Sequence, residues 1–378
     1  MAKHNAANTR IKRDYFAYLR EAQRRNETSI VAVSKSLARF EEANGHKDFK
    51  SFHRKQAVAF KRKLDQQPAV RTGAPLSRAT VHSTLSALRA FFVWLAGQPG
   101  YKSRLRYADA DYFNLAETEV RIAKAVRIKP FPTLEQVHHV LATMPTGTDI
   151  EKRNRALIAF ALLTGARDGA LASLKLKHVD LEQGRVDQDA RDVRTKASKT
   201  FSTWFFPVGS EALPIVEHWC HHLRVELLWG ENEPLFPPTL VGLGDNGGFA
   251  PVGLRRDGWH GAGPIREIFR NAFEAAGLPY FNPHSFRNTL VQLGERLCTT
   301  AEEFKAWSQN LGHDRVMTTL TSYGTVAPHR QADLIRGLMA AKQGNAAVDP
   351  AYVARVMAAM QRVTLERFSI ILVHIRTR

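Results

Sequence analysis

The sequence predicts a mainly α-helical protein with a small antiparallel β-sheet, divided into two domains. Apolar residues recur at helical spacing in two stretches, from Ile30 to Phe40 and from Val81 to Leu95, and each set predicts one buried stripe. Residues 178–208 instead alternate apolar and polar side chains around Gly184, which is typical of antiparallel strands. The periodicity fades between Arg106 and Pro132, which predicts a linker in extended conformation.

These changes of pattern set the expected domain boundaries. A chain of 378 residues can bury more than one core. We expect a helical domain at residues 1–115, a linker at 116–132, a mixed α/β domain at 133–345 and a C-terminal tail at 346–378. The tail contains an apolar run, residues 370–373, which would be a liability if exposed.

Start and stop signals define the helices of the second domain. A capping box at Thr133 predicts a helix start, and the nearly all-apolar stretch RNRALIAFALL predicts a buried helix that ends at Gly165. Residues 229–263 are rich in Gly and Pro, so we expect a long surface excursion there. Pro264 then opens a helix that ends at Gly277.

The net charge of +18 is the first indication of function. A basic surface attracts polyanions and releases their counterions, so nucleic acid is the expected partner. We find no apolar run long enough to span a bilayer and no secretory signal in MAKHNAANTRIKRDYF, which predicts a cytoplasmic, nucleoid-associated protein without a membrane partner. Cys220 and Cys298 are too few and too far apart to predict a disulfide framework or a zinc motif.

A predicted helix near residues 49–67 has a strongly basic side. This side either contacts DNA phosphates or is a solvated helix surface. Its candidate DNA-binding residues are Lys50, Arg54, Lys55, Lys61 and Arg62.

Three segments combine basic and nucleophilic residues with turn or cap signals: TGARDGALASLKLKHVDL, HSFRNT and LGHDRVMTTLTSYGTV. In this order they resemble the active-site motifs of the tyrosine recombinases, the family of phage integrases, chromosome-dimer resolvases and related transposon enzymes. The resemblance covers about residues 10–335. It implies an N-terminal helical core-binding (SAM-like) domain and a mixed α/β catalytic domain, which together break and rejoin DNA without metal, nucleotide or other cofactor.

The resemblance also implies a role for each motif residue. Arg167 follows the Thr-Gly turn, where a guanidinium can bind two oxygens of one phosphate. His284 and Arg287, three residues apart, share one helical face and can meet the same phosphate. His313 would hydrogen-bond that phosphate, and Tyr323 is the expected nucleophile.

The chemistry explains these residue types. Attack on a phosphodiester builds negative charge at phosphorus, which arginines and histidines can stabilise in place of a metal ion. A phenol with a pKa of about 10 needs help to lose its proton near neutrality, and His284 is the candidate general base. The product would be a 3′-phosphotyrosyl link with a free 5′-hydroxyl.

A lysine on the small sheet would protonate the leaving 5′-oxygen. The segment SKTFSTWFFP resembles the lysine-bearing turn of the family, which favours Lys199. Lys196 is the alternative, and the lysine that is not catalytic would contact the DNA backbone.

One departure concerns the support of the first arginine. The family often has an acidic residue three positions after that arginine, where this chain has Ala170. Asp168 either substitutes for it or caps the following helix.

Two other clusters admit a metal site, but a surface role is favoured for both. His218 and His222, with Cys220 between them, have helical metal-pair spacing without further ligands nearby. Five acids of the predicted sheet suggest a solvated hairpin rather than a metal-dependent nuclease: Asp180, Glu182, Asp187, Asp189 and Asp192.

The sequence therefore predicts a site-specific recombinase of integrase or transposon type, carried by a mobile element and acting on double-stranded DNA with specific sites. We expect a monomer in the free state and a homotetramer on DNA, with the tail docked on a partner subunit and accessory proteins as further partners. The alternatives are a chromosome or plasmid dimer resolvase, a type IB topoisomerase and a DNA-binding protein on this scaffold that does not cut.

Overall fold

The structure, a computed structural model, describes residues 4–69, 73–125, 130–244 and 247–313. It divides into two compact units, residues 1–126 and 127–378. Helices predominate, with two small antiparallel sheets in the second unit, which confirms the predicted fold class. The predicted boundaries at residues 115, 132 and 345 remain predictions.

The first unit is mainly helical in its described residues, with one isolated β-bridge between Pro68 and Pro75. Its helices are α1 (Ala6–Glu21), α2 (Glu27–Ala43), α3 (Arg54–Gln66), α4 (Arg78–Ala96) and α5 (Glu117–Lys124). The two predicted apolar stripes lie on α2 and α4. Helix α5 contradicts the extended conformation predicted for residues 116–132. Acids in its first turn and bases in its last turn stabilise the helix by their favourable interaction with the helix dipole.

Phenylalanines form the centre of this unit. The ring of Phe40 is 1% exposed and packs edge-on against Phe60, Phe92 and Phe113, with centroids 5.2 to 5.6 Å apart. These contacts join α2, α3, α4 and the 3₁₀ turn Tyr107–Phe113. The basic side chains of α3 lie on the side of the helix that faces away from this core.

The second unit contains the predicted buried helix at its centre. Its helices are α6 (Leu134–Thr143), α7 (Asp149–Thr164), α8 (Asp168–Leu171), α9 (Ala212–His221), α10 (Gly263–Ala275), α11 (Phe286–Leu297) and α12 (Ala301–Asn310). The capping box at Thr133 is present. Helix α7 is buried from Ala156 onward and ends at Gly165 in the left-handed conformation, as predicted.

The predicted sheet has three strands, β1 (Val179–Asp180), β2 (Arg185–Gln188) and β3 (Phe201–Trp204), in the order β1-β2-β3. A second hairpin, β4 (Thr239–Leu243) with β5 (Phe249–Leu254), lies in the stretch expected to be irregular. Its Gly and Pro residues obscure the alternation of a strand, and a β-bulge interrupts its register. No helix in the described ranges is both long and apolar enough to cross a bilayer.

Candidate active site

Arg287 joins the ends of two helices at the centre of the candidate site. It is the second residue of α11 and is only 2% exposed. Its Nη1 donates to the carbonyl of Gly165 at 2.7 Å, and its Nη2 donates to the carbonyl of Leu311. The guanidinium therefore satisfies carbonyl groups at the ends of α7 and α12, which a buried chain must pair.

The turn at Gly165 requires glycine for two reasons. Its φ of 58° is left-handed, a conformation that disfavours a side chain. A Cβ there would also lie 2.9 Å from the side chains of both Leu290 and Leu311. The absence of a side chain thus lets α7, α11 and the turn after α12 meet beside Arg287.

His313 is neutral in this structure. Arg287 Nη2 lies 2.8 Å from His313 Nε2, and because a guanidinium only donates, Nε2 must accept and Nδ1 carries the proton. Burial, followed by the charges of Arg287, Arg167, His284 and Lys196, lowers the pKa of His313 to about 3. The imidazole is thus an uncharged hydrogen-bond donor through Nδ1 at physiological pH.

The same interactions bring several of the predicted site residues close to His313. Arg167 occupies the N-cap position of α8, and His284 lies in the 3₁₀ turn just before α11 rather than on its face. Both are close enough for their charges to act on His313, as is Lys196. Such a cluster attracts an anion.

The two candidate lysines lie in the connection between β2 and β3. Lys196 is exposed, whereas Lys199 is half-buried with its Nζ 5.7 Å from the ring centroid of Phe201. Between them, Ala197 and Ser198 have φ values of 58° and 51°, so two consecutive residues with side chains adopt the left-handed conformation. Tyr323, the predicted nucleophile, lies outside the described residues.

An apolar cleft of about 850 Å³ opens beside Lys199 and His313. Strand β3 and the residues after it supply one wall, and the C-terminal part of α11 and helix α12 supply the other. Its principal apolar residues are Phe201, Trp204, Phe205, Phe206, Leu297 and Trp307.

Ala170, which stands where the family often has an acidic residue, has a packing role instead. Ala170 is 1% exposed and lies in the core of the second unit. Asp168 receives a hydrogen bond from Arg266 Nε at 2.8 Å. The carboxylate next to Arg167 thus ties α8 to α10.

The geometry contradicts the helix-surface interpretation of the histidine cluster in part, since Cys220 and His222 are buried. His222 is buried with Nε2 2.8 Å from Asp149 Oδ1, whereas His218 is exposed. Among the described residues, no three His, Cys, Asp or Glu side chains are grouped to bind a metal ion. In the sheet region, a hydrogen bond from Lys177 lowers the pKa of Asp192 to about 2.

The candidate DNA-binding side chains at residues 50–62 are mostly exposed, and several of them contact residues 101–114. Lys50 lies in the 3₁₀ turn Phe49–Ser51 before α3, and the others lie on α3. Lys50 Nζ lies 5.4 Å from the ring centroid of Tyr101, Arg54 Nη1 donates to Tyr112 Oη at 3.2 Å, and Lys61 Nζ donates to the Asn114 carbonyl at 3.0 Å. Lys55 and Arg62 are exposed on the same helix.

The sequence pattern does not identify the partners that hold the site together. The carbonyl groups of Gly165 and Leu311 bind Arg287, but a backbone acceptor has no residue signature. Asn310 also contacts β3, and only its place next to the Leu-Gly-His motif hints at its importance.

Comparisons with known proteins place the sequence in a family. Residues 131–330 match the phage integrase family, and residues 13–98 match the N-terminal SAM-like domain of phage integrases. Tyrosine recombinase XerC of Lactobacillus delbrueckii subsp. bulgaricus is 24% identical over 82% of this chain and 92% of its own length.

Two solved structures share the fold. A lambda integrase dimer bound to a core site has a TM-score of 0.57 at 14% identity, covering 84% of this chain and 95% of that one. A lambda integrase tetramer bound to a Holliday junction has a TM-score of 0.52 at 16% identity, covering 86% and 84%. Because the integrase match alone spans more than half of the sequence, this chain belongs to the phage integrase family and is a tyrosine recombinase.

Proposed function

We propose that this recombinase cuts and rejoins DNA at specific sites through a covalent link between Tyr323 and a 3′-phosphate. The observation that carries the proposal is the cluster of Arg167, Arg287 and Lys196 around the neutral His313. It supports binding of one scissile phosphate by Arg167 and Arg287. Their charges would oppose the negative charge that develops on the phosphate oxygens.

Cleavage requires one proton to leave the phenol and another to reach the leaving group. His284 accepts the Tyr323 proton, the phenolate oxygen attacks phosphorus, and the bond to the 5′-oxygen breaks. Lys196 or Lys199 donates a proton to that 5′-oxygen. Rejoining reverses each step, so the phosphodiester energy is kept in the tyrosyl link.

His313 has the hydrogen-bonding state that this mechanism needs. With Nε2 engaged by Arg287, its Nδ1–H is the donor to a nonbridging phosphate oxygen. Neutrality also limits repulsion between the imidazole and the two arginines. Of the lysines, Lys196 has a charge that acts on His313, and Lys199, which the sequence favours, lines the same cleft as His313, so both are candidates for the proton donor.

DNA binding outside the site is assigned to the first unit. The exposed basic side of α3 supports phosphate contacts by Lys55 and Arg62 in particular, within a DNA-binding domain at residues 1–115 joined by the 116–132 linker to a catalytic domain at 133–345. We place the protein with the nucleoid in the cytoplasm.

Integration or transposition is the leading role, and dimer resolution is the second. The XerC relative, matched over most of both chains, favours the second. The two roles differ in substrate, since a resolvase acts on directly repeated sites in one circle and an integrase also joins separate molecules.

Assembly on DNA is proposed to be tetrameric, as in the solved lambda integrase complex with a Holliday junction. The apolar cleft beside Lys199 supports docking of the tail from a neighbouring subunit, with the apolar run at residues 370–373 bound in the cleft. Unchanged assembly on DNA after deletion of residues 346–378 would contradict this docking.

A covalent trap tests the chemistry. Adducts mapped across genomic DNA first identify the site, and a duplex nicked beside the cleavage point then traps the intermediate in EDTA. We expect a protein–DNA adduct from wild type and none from Tyr323→Phe. A shift in mobility without an adduct would indicate a DNA-binding protein that does not cut, and relaxation without strand exchange would indicate a topoisomerase.

A further inference from the structure

We propose that Asn310 is a positioning residue that holds the lysine-bearing connection between β2 and β3 in place for protonation of the leaving 5′-oxygen. This inference rests on the proposed function, in which Lys196 or Lys199 is the proton donor. It concerns a side chain outside the three motifs.

Asn310 pairs with the free edge of β3. The Trp204 N–H donates to Asn310 Oδ1 at 2.7 Å, and Asn310 Nδ2 donates to the Trp204 carbonyl at 2.8 Å. Since β3 is the last strand in the order β1-β2-β3, its outer groups have no neighbouring strand in that sheet within the part of the chain that the structure describes. The amide of Asn310 satisfies both groups at one residue, as a further strand would.

A buried hydrogen-bond chain reinforces this pairing. Thr203 Oγ1 donates to the Asn310 carbonyl at 3.1 Å, and Gln188 Nε2 donates to Thr203 Oγ1 at 3.1 Å. Thr203 and Gln188 are 1% and 4% exposed. Asn310 is therefore bound to β3 by its side chain and backbone, and through Thr203 to β2.

The residues that follow Asn310 belong to the site. The Leu311 carbonyl accepts from Arg287, and His313 Nε2 lies 2.8 Å from the same guanidinium. Gly312, with a φ of 71°, lies so close to Phe201 that a Cβ would be 2.7 Å from its ring. Phe201 in turn underlies the ammonium group of Lys199.

These contacts make Asn310 the link between two parts of the reaction centre. One side is the turn that carries His313 and binds Arg287, and the other is the strand that leads directly from the lysines. Loss of the amide would remove both hydrogen bonds to Trp204 and leave only the contact of Thr203 with the Asn310 carbonyl. The strained backbone at Ala197 and Ser198 would then let the connection relax. Phosphate binding by the arginines would remain, while proton donation would weaken.

Leaving-group substitution separates these effects. The substrate is the nicked duplex with either the normal 5′-oxygen or sulfur at the bridging position, in single-turnover cleavage by full-length protein. A thiol has a much lower pKa than an alcohol, so sulfur leaves without a proton donor. We expect Asn310→Ala and Asn310→Asp to cleave the oxygen substrate about 10 to 100 times more slowly than wild type, and the sulfur substrate within about threefold of wild type.

Matched variants make the result decisive. Asn154→Ala removes another side-chain amide that accepts a hydrogen bond, here from Arg153 at 2.8 Å, and should leave both rates unchanged. Asn310→Asp keeps the side-chain volume and the acceptor for the Trp204 N–H but replaces the donor to the Trp204 carbonyl with a carboxylate oxygen, so it provides a second test if Asn310→Ala fails to fold.

Three outcomes overturn the inference. Unchanged cleavage of the oxygen substrate by both Asn310 variants does so directly. Rescue by sulfur in Lys196→Ala or Lys199→Ala, but not in the Asn310 variants, overturns the inference and leaves the proposed chemistry intact. Absence of rescue in both lysine variants overturns the proton-donor step of the proposed function, and the inference with it.

Discussion

His313 illustrates how a single residue depends on its surroundings. The sequence identifies it as a phosphate ligand by its motif, but does not give its protonation state. That state follows from burial and from four neighbouring side chains, Arg167, Lys196, His284 and Arg287, that come from three separate parts of the chain. Each of these influences penalises the charged imidazole.

The depressed pKa predicts a stability change with pH. Between pH 6.5 and about 3, the unfolded chain binds a proton at His313 that the folded protein excludes. The free energy of unfolding therefore falls as pH decreases through this range. We expect His313→Gln to lose less stability than wild type between pH 7.5 and 5.0, measured by urea denaturation at each pH.

A change at exposed His218 is the matched control. His218→Gln should retain the wild-type loss of stability over the same range. Equal pH dependence in wild type and His313→Gln would show that His313 is not excluded from protonation in the folded state.

At the scale of an element, the end of helix α7 at Gly165 also depends on tertiary contacts. The sequence predicts that α7 stops there, because glycine commonly ends a helix. The structure adds that the backbone turn is packed against two other segments. An element end predicted for local reasons thus also positions Arg287.

Gly165→Ala should be strongly destabilising. A left-handed alanine costs about 1–2 kcal/mol, and overpacking against Leu290 and Leu311 adds about 1–3 kcal/mol. Gly277→Ala is the control, since its φ is 72° but no atom lies within 4 Å of its Cβ position. Chemical denaturation should give the larger loss for Gly165→Ala, and equal losses would contradict the packing argument.

The turn between the lysines predicts a stabilising change. Ala197→Gly removes the strain of a left-handed residue with a side chain, which stabilises the folded protein by about 1–2 kcal/mol. The greater entropy of glycine in the unfolded chain reduces this gain by about 0.5–1 kcal/mol. A small increase in melting temperature is expected. Ala190→Gly, in the same connection but outside the left-handed region, should lower the melting temperature; a decrease for Ala197→Gly as well would argue against strain at this turn.

Elements without a strong local pattern were predicted less well. Helix α5 is too short to show periodicity, and its signal lies in charges at its ends. The hairpin of β4 and β5 exposes apolar side chains such as Leu243 and Phe249, which are 74% and 86% exposed. An alternation of buried and exposed residues cannot identify strands that have little buried surface.

At the scale of the whole molecule, charge is the dominant property. The net charge of +18 predicts DNA binding that weakens steeply with salt. On a duplex without a specific site, we expect Lys55→Gln with Arg62→Gln to reduce the slope of log affinity against log salt by about 1 to 2, measured by fluorescence anisotropy. Arg24→Gln, between α1 and α2, is the control, and an equal reduction there would argue against a specific role for the α3 face.

The sequence by itself determined the mainly helical class, the central sheet, the ends of the main helices and the family, because periodicity, caps and short motifs are local properties. Tertiary structure alone decided which atoms hold the site. Arg287 binds carbonyl groups 122 and 24 residues away, and the neutrality of His313 results from burial that only the folded chain produces. Such contacts join distant backbone atoms, so no pattern along the chain encodes them directly.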